Sequence, residues 1–417
     1  MRFVDLSTKS YVMGCCLVLT GIVITASSLH SEVLGRWFGD PIGLAASTRA
    51  HFIDRFFVWD SGWYEGIAEH GYNWSVEDTN EHDIAFFPLW PIILTGIYAI
   101  FKVGVVGHIV VVSLSAGLAF ASIFLFSILA NMLAPRRIAC WATAFYAFNP
   151  AGNFLFESYP VALMNALTCY ALIAIVKKQF WRAAIAAGVS TAAGPLAVIL
   201  ATTVVCAALL NSQQKYSRPD QTPDLSFRVA QLAVLTLISF SGILSFVAWL
   251  AYRHNDPFAF VGAQNAWIAP LPLTQRALTF FKMETVLADF LQATKAVTDA
   301  VHLVKVGFGT QAEARLENAV NFLGLAFGLI GAYACLSIKP RLIGLFSLAV
   351  ISAYIWLIAT NHGGYATLRL IYLGIPSSLG IARLTRSLPF IASTLLALSA
   401  CTLALQELLS SAGYWII

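Results

Sequence analysis

Charge is what this chain has least of: Asp, Glu, Lys and Arg make up 11% of its 417 residues, against 59% hydrophobic residues. A water-facing globule cannot be built from so little polar surface, so most of the chain must meet lipid or be buried in a helix bundle. Cysteine is missing from both long polar loops. The seven that occur, at positions 15, 16, 140, 169, 206, 335 and 401, lie in or beside hydrophobic runs. That distribution argues against a disulfide framework and a CxxC metal site. Internal repeats, low-complexity tails and a soluble domain are absent too, which leaves a single integral membrane domain over 1–417. The net charge of +4 is small and arises in short basic turns, so it gives no reason to expect a nucleic-acid partner.

What the sequence does have is a series of apolar runs. A membrane span needs about 20 apolar residues in a helix, which satisfies its own backbone hydrogen bonds in hydrocarbon. Such runs fall at 11–29, 107–133, 138–156, 159–176, 180–210, 229–252, 319–338, 342–360, 367–384 and 388–412. Run 180–210 carries Gly194-Pro195 at its middle, where proline removes a backbone donor, and reads as two short helices. The expected fold is an all-α polytopic bundle of about eleven transmembrane helices. Lysines and arginines stay cytoplasmic. Those at 2, 9, 136–137, 177–182, 215–228, 339–341 and 383–386 share one side if residues 86–102, "FFPLWPIILTGIYAIFK", dip into the membrane or lie on it. Loop 31–85 then lies outside, with the second long loop 253–316 and the turns around 149–159 and 361–366. Residues 1–30 read as a retained first span rather than a cleaved signal peptide, because further hydrophobic segments follow.

Loop 31–85 is a polar island with ten acidic residues against three basic ones, Arg36, Arg49 and Arg55. Its centre, residues 55–74, reads "RFFVWDSGWYEGIAEHGYNW". Asp60 precedes a helical pattern in which Trp63 and Ile67 lie four apart on one face, so an amphipathic helix along the membrane is expected. Trp59, Trp63, Tyr64, Tyr72 and Trp74 suit that depth, each having an apolar ring and a polar tip. Asp60 has two readings. As an N-cap its carboxylate accepts backbone N–H bonds from the first turn. As a general base it takes a proton from a hydroxyl nucleophile at the membrane edge. The two are compatible, since N–H bonds to a carboxylate keep it ionised.

These residues resemble a family. "WDSGWYEGIAEHGYNW" followed by "EHDIAFFPLWP" is similar to the first-loop signature of the PIG-V family, the glycosylphosphatidylinositol mannosyltransferase II proteins and their prokaryotic relatives. "FNPAGNFLFESYPVALMNAL", 148–167, resembles that family's Asn-Pro-Ala stretch, and "GGYATLRLIYLGIP", 363–376, its arginine ahead of a late span. The family belongs to the C-type glycosyltransferases. The resemblance therefore implies a C-type bundle and inverting mannosyl transfer from a polyprenyl-phosphate sugar to a lipid-linked or glycan acceptor on the periplasmic or luminal side. It maps the expected base to Asp60 and implies no metal or other cofactor.

The departing phosphate of such a donor needs cations or oriented dipoles. Arg369 is the first candidate, because its planar fork can hold two phosphate oxygens, and His362 adds a donor. Arg276, Lys282, Lys295 and Lys305 are alternatives, with contact to lipid headgroups as the plainer role for all of them. Many relatives carry a basic residue after the small-residue span, whereas this chain reads "GVSTAAGPLAV" at 188–198. Substrate-binding candidates are Trp59, Trp63, Tyr64, Glu69, His70, Tyr72, Asn149 and Tyr159, with Glu157 beside them. Solvated loop charge is the plainer role for Glu65, and helix capping for Asn149. Glu69, His70, Glu81, His82 and Asp83 form a cluster of metal-ligand types, but no recurrent ligand spacing supports a metal. Pro88 and Pro91 restart a helix after the loop.

Two other classes share the hydropathy. A transporter or flippase usually places ionisable residues inside its spans, and most spans here are nearly free of them. A noncatalytic membrane-complex subunit is also compatible, though the Trp59-Asp60 pair speaks against it. A bacterial inner membrane is the expected location, with the endoplasmic reticulum as the eukaryotic counterpart.

Overall fold

The computed structural model describes residues 6–37, 51–72, 83–215, 225–263, 310–361 and 367–411, and isolated positions between 272 and 291. Among them every regular element is helical. In chain order the helices are α1 (Leu6–Trp37), α2 (Ser61–His70), α3 (Leu89–Phe101), α4 (Val105–Leu133), α5 (Arg136–Ala147), α6 (Val161–Val176), α7 (Phe180–Thr191), α8 (Ala197–Lys215), α9 (Leu225–Ser239), α10 (Ser241–His254), α11 (Ala259–Ala263), α12 (Thr310–Cys335), α13 (Leu342–Asn361), α14 (Thr367–Ile371), α15 (Ser377–Leu384) and α16 (Pro389–Ser411). Short 3-10 turns at Phe52–Phe56, Asp83–Ala85 and Pro150–Leu155 join them.

Among the described residues three stretches are long and apolar enough to cross a membrane: Ser7–Leu29 within α1, α4 and α16. A fourth is the pair α9 and α10, bent by 68°. The 29 residues of α4 reach about 44 Å, more than the hydrocarbon thickness of about 30 Å. The 13 of α3 reach only about 20 Å, too short to cross unaided.

Three of the expected runs are interrupted. In 138–156 the helix stops at Ala147, because the residue before Pro150 is pushed out of helical backbone; Asn149 has φ −60° and ψ 141°. In 367–384 the break falls between Ile371 and Ser377, around Gly374 and Pro376. In 229–252 it falls at Phe240. The run 180–210 divides into α7 and α8 around Gly194-Pro195.

Close packing depends on small residues, as expected where lipid tails give helices no hydrophobic reason to associate. Gly380 of α15 abuts the backbone of Gly331 on α12, leaving no room for a Cβ. Gly188 of α7 meets the backbone of Ile238 on α9, and Gly242 of α10 meets the backbone of Gly188 and Ala192, in the same way. The stretch 188–198, which lacks a basic residue, thus serves as a helix contact, and Ala192 also accepts a hydrogen bond from Leu89 N–H at 2.9 Å.

The bundle has chemically distinct ends. α4 starts beside the first loop and runs into Arg136 and Arg137; α6 starts just after Tyr159 and runs into Lys177 and Lys178. The polar island and these basic turns therefore lie at opposite ends.

Candidate active site

Asp60 stands at the start of α2 in helical backbone, φ −61° and ψ −17°, and its carboxylate makes no capping bond. The capping reading is corrected here. An N-cap acceptor needs a non-helical, extended backbone to turn its oxygen back onto the first-turn amides, and Asp60 lacks it. Its Oδ2 instead accepts from Arg369 Nη2 at 2.6 Å. The two side chains are 18% and 14% exposed, so the pair is shielded yet reachable.

Both partners are held from below by Tyr159. Its hydroxyl donates to the Val58 carbonyl at 2.8 Å and accepts from the Asp60 N–H at 3.1 Å. These two bonds straddle Trp59, whose φ of +53° is unusual for a residue with a side chain. Such strain persists only where surrounding contacts over-determine it. The Tyr159 ring also lies under the guanidinium of Arg369, 4.9 Å from its carbon, with Phe154 at 5.8 Å. This cation–π contact keeps the arginine in place without consuming its hydrogen-bond donors.

Tyr64 closes one side, edge-on to Tyr159 at 6.2 Å and to Phe86 at 5.1 Å. Burial pushes its phenol well above the ordinary range; Arg369 opposes the shift and Asp60 reinforces it. It therefore stays a neutral hydroxyl beside the ion pair. Asp60, Arg369, Tyr159, Tyr64 and Trp59 are thus gathered in one place.

The other candidates lie elsewhere. Trp63 stacks on Phe86 at 5.7 Å, and Tyr72 donates to the Phe86 carbonyl at 2.7 Å with its ring 5.2 Å from Trp249, so both build an aromatic wall. Asn149 accepts from the Ala151 N–H at 3.0 Å, which is the capping role. Glu69 and His70 are on the exposed side of α2. Glu157 is buried, its Oε1 accepting from Asn153 and from Ser410, each at 3.0 Å. His362, Trp74, Glu81, His82, Arg276, Lys282, Lys295 and Lys305 lie outside the described residues. Among the described residues no three His, Cys, Asp or Glu side chains gather as a metal site.

One cluster escaped the sequence reading. His108, in the first turn of α4, has Nδ1 at 2.8 Å from Asp54 and Nε2 at 2.8 Å from Glu65, while Phe57 stacks on its ring at 4.0 Å. Tyr98 of α3 donates to the same Glu65 oxygen at 2.9 Å. Glu65 is therefore not the solvated loop charge expected of it. The available signal was His108 itself, an ionisable residue inside an apolar run.

Comparison with known proteins places the chain. Solved structures similar to it include ArnT from Cupriavidus metallidurans bound to undecaprenyl phosphate, at 11% identity and TM-score 0.49, covering 98% of this chain and 77% of that one. An Archaeoglobus fulgidus oligosaccharyltransferase tethered to an acceptor peptide matches at 12% identity and TM-score 0.44; the match covers 98% of this chain and 55% of that enzyme. No curated protein matches the sequence. The Mannosyltransferase (PIG-V) family model matches residues 12–264, more than half of the chain, a stretch that holds Asp60, His108 and Tyr159 and ends before Arg369. The chain belongs to the PIG-V mannosyltransferase family and is a membrane glycosyltransferase.

Proposed function

We propose that the protein transfers mannose from a polyprenyl-phosphate donor to a hydroxyl of a lipid-linked or glycan acceptor, with inversion, using Asp60 as general base and Arg369 to hold the donor phosphate. The observation that carries this reading is the 2.6 Å pair between them. The pair sets the Asp60 carboxylate, a group able to take a proton from an acceptor hydroxyl, beside a cation able to bind the donor phosphate. A donor phosphate offers Arg369 more charge and a better match to its fork than a single carboxylate oxygen does. Entry of the donor then draws the guanidinium onto the phosphate and frees Asp60 for the acceptor.

In the transfer step the acceptor oxygen bonds to the anomeric carbon as its proton passes to Asp60, and the bond from that carbon to the phosphate oxygen breaks. The released polyprenyl phosphate carries its new charge next to Arg369, with Tyr64 as a neutral donor nearby. This placement of a fixed cation at the leaving group is the main electrostatic contribution available to the site. The guanidinium meets the charge requirement, so the reaction proceeds without a metal. The basic turns at the opposite end support a site on the non-cytoplasmic side, the periplasmic face if the membrane is a bacterial inner membrane.

The test is transfer of radiolabelled sugar from polyprenyl-phosphate mannose by membranes carrying the protein, with and without EDTA. Transfer that resists EDTA supports the reading. Absence of transfer from this donor, with transfer from another polyprenyl-phosphate sugar, overturns mannose and keeps the mechanism; absence with all of them overturns the function.

A further inference from the structure

His108 joins the two stretches of chain that flank Asp60. Asp54 lies on the turn Phe52–Phe56 and Glu65 on α2, and the histidine between them sits in the first turn of the 29-residue helix α4. Each ring nitrogen is 2.8 Å from a carboxylate oxygen. A neutral imidazole carries one N–H and satisfies one of those contacts, setting a nitrogen lone pair against a carboxylate at the other; an imidazolium donates to both. Charged donors to carboxylates are also the stronger kind of hydrogen bond. We propose that His108, as an imidazolium donating to Asp54 and Glu65 together, is the positioning residue that fixes the Asp60 segment on α4. This inference rests on the assignment of Asp60 as the base.

The surroundings fit that role. Phe57 covers one face of the ring, and the His51 N–H donates to the second oxygen of Asp54 at 3.1 Å. The titratable groups facing the ring are Asp54 from the turn, Glu65 from α2 and Tyr98 from α3; Glu69 lies one turn further on α2 and is exposed, as is Lys102 before α4. The sign of the pH effect follows. The clamp is complete while the ring is protonated and is lost as pH rises through its titration, so turnover falls on the alkaline side. The contribution is to geometry, and a displacement of the base by 1 Å costs about 100-fold in rate.

The experiment combines transfer kinetics with amide hydrogen exchange of residues 54–65 in nanodiscs, across pH, for wild type, His108→Gln and Glu65→Gln. In His108→Gln the amide keeps one donor and loses the other. The expected result is a fall in kcat of about 100-fold with KM for the donor unchanged, and faster exchange in 54–65. In Glu65→Gln the new amide donates to a neutral ring, so the alkaline fall in turnover disappears while exchange stays slow. Unchanged kcat and exchange in His108→Gln overturns the proposal, as does persistence of the alkaline fall in Glu65→Gln. If wild type transfers no sugar, the transferase assignment fails, and the exchange of His108→Gln alone decides whether the clamp exists.

Discussion

Two charged clusters flank the first turns of α2, and they are built on opposite principles. Asp54, His108 and Glu65 form a closed set: every contact is at 2.8 Å, an aromatic ring covers the histidine, and Tyr98 supplies a further donor. Asp60 and Arg369 form an open one: the ion pair is a single contact at 2.6 Å, and the arginine is otherwise held by the ring faces of Tyr159 and Phe154. A closed cluster holds backbone in place. An open pair, with a cation that a stronger anion can claim, is suited to exchange partners when a substrate arrives. The difference assigns scaffolding to the first and chemistry to the second.

The comparison breaks most sharply at Asp60. Asp60→Asn removes the base and should lower kcat by about 1,000-fold, within the 100- to 10,000-fold range for acid–base groups, measured by sugar transfer at matched expression. Arg369→Met should lower kcat by about 100-fold and weaken donor binding, because the leaving phosphate loses its fixed charge; a titration with polyprenyl phosphate separates the two effects. Tyr159→Phe keeps the ring under Arg369 and deletes the hydroxyl that ties Val58 to Asp60. A net hydrogen bond of about 1 kcal/mol predicts about a fivefold loss in kcat, with donor affinity retained. The double change Glu69→Gln and His70→Asn, on the exposed side of α2, should stay within about twofold of wild type, since functional loss needs contact with reacting groups.

Much of this was legible in the sequence for reasons that differ by residue. Asp60 was legible as the base through the resemblance of its first-loop signature, since its place ahead of α2 reads by itself as a helix cap. Arg369 was visible as a lone cation ahead of a span. Their contact was not, because it joins residues 309 apart and depends on the short helix α14 being broken from α15 near Pro376. The role of Tyr159 followed from neither periodicity nor motif, since its hydroxyl acts on backbone groups of another segment. His108 was hidden differently: its partners are 54 and 43 residues away, and each alone reads as loop charge. The apolar runs located the helices well but overstated their continuity. Pro150 and Pro376 mark two of the breaks, whereas the one at Phe240 has no proline. It coincides instead with Gly242 pressing against the backbone of α7.

The central claim is that donor phosphate and Asp60 compete for Arg369, and it is tested most directly by measuring polyprenyl-phosphate affinity and turnover together in Asp60→Asn. The account predicts that the variant binds the phosphate more tightly than wild type, because the competing carboxylate is gone, while its turnover collapses. Full turnover in Asp60→Asn, or weaker phosphate binding with the fold intact, would contradict it.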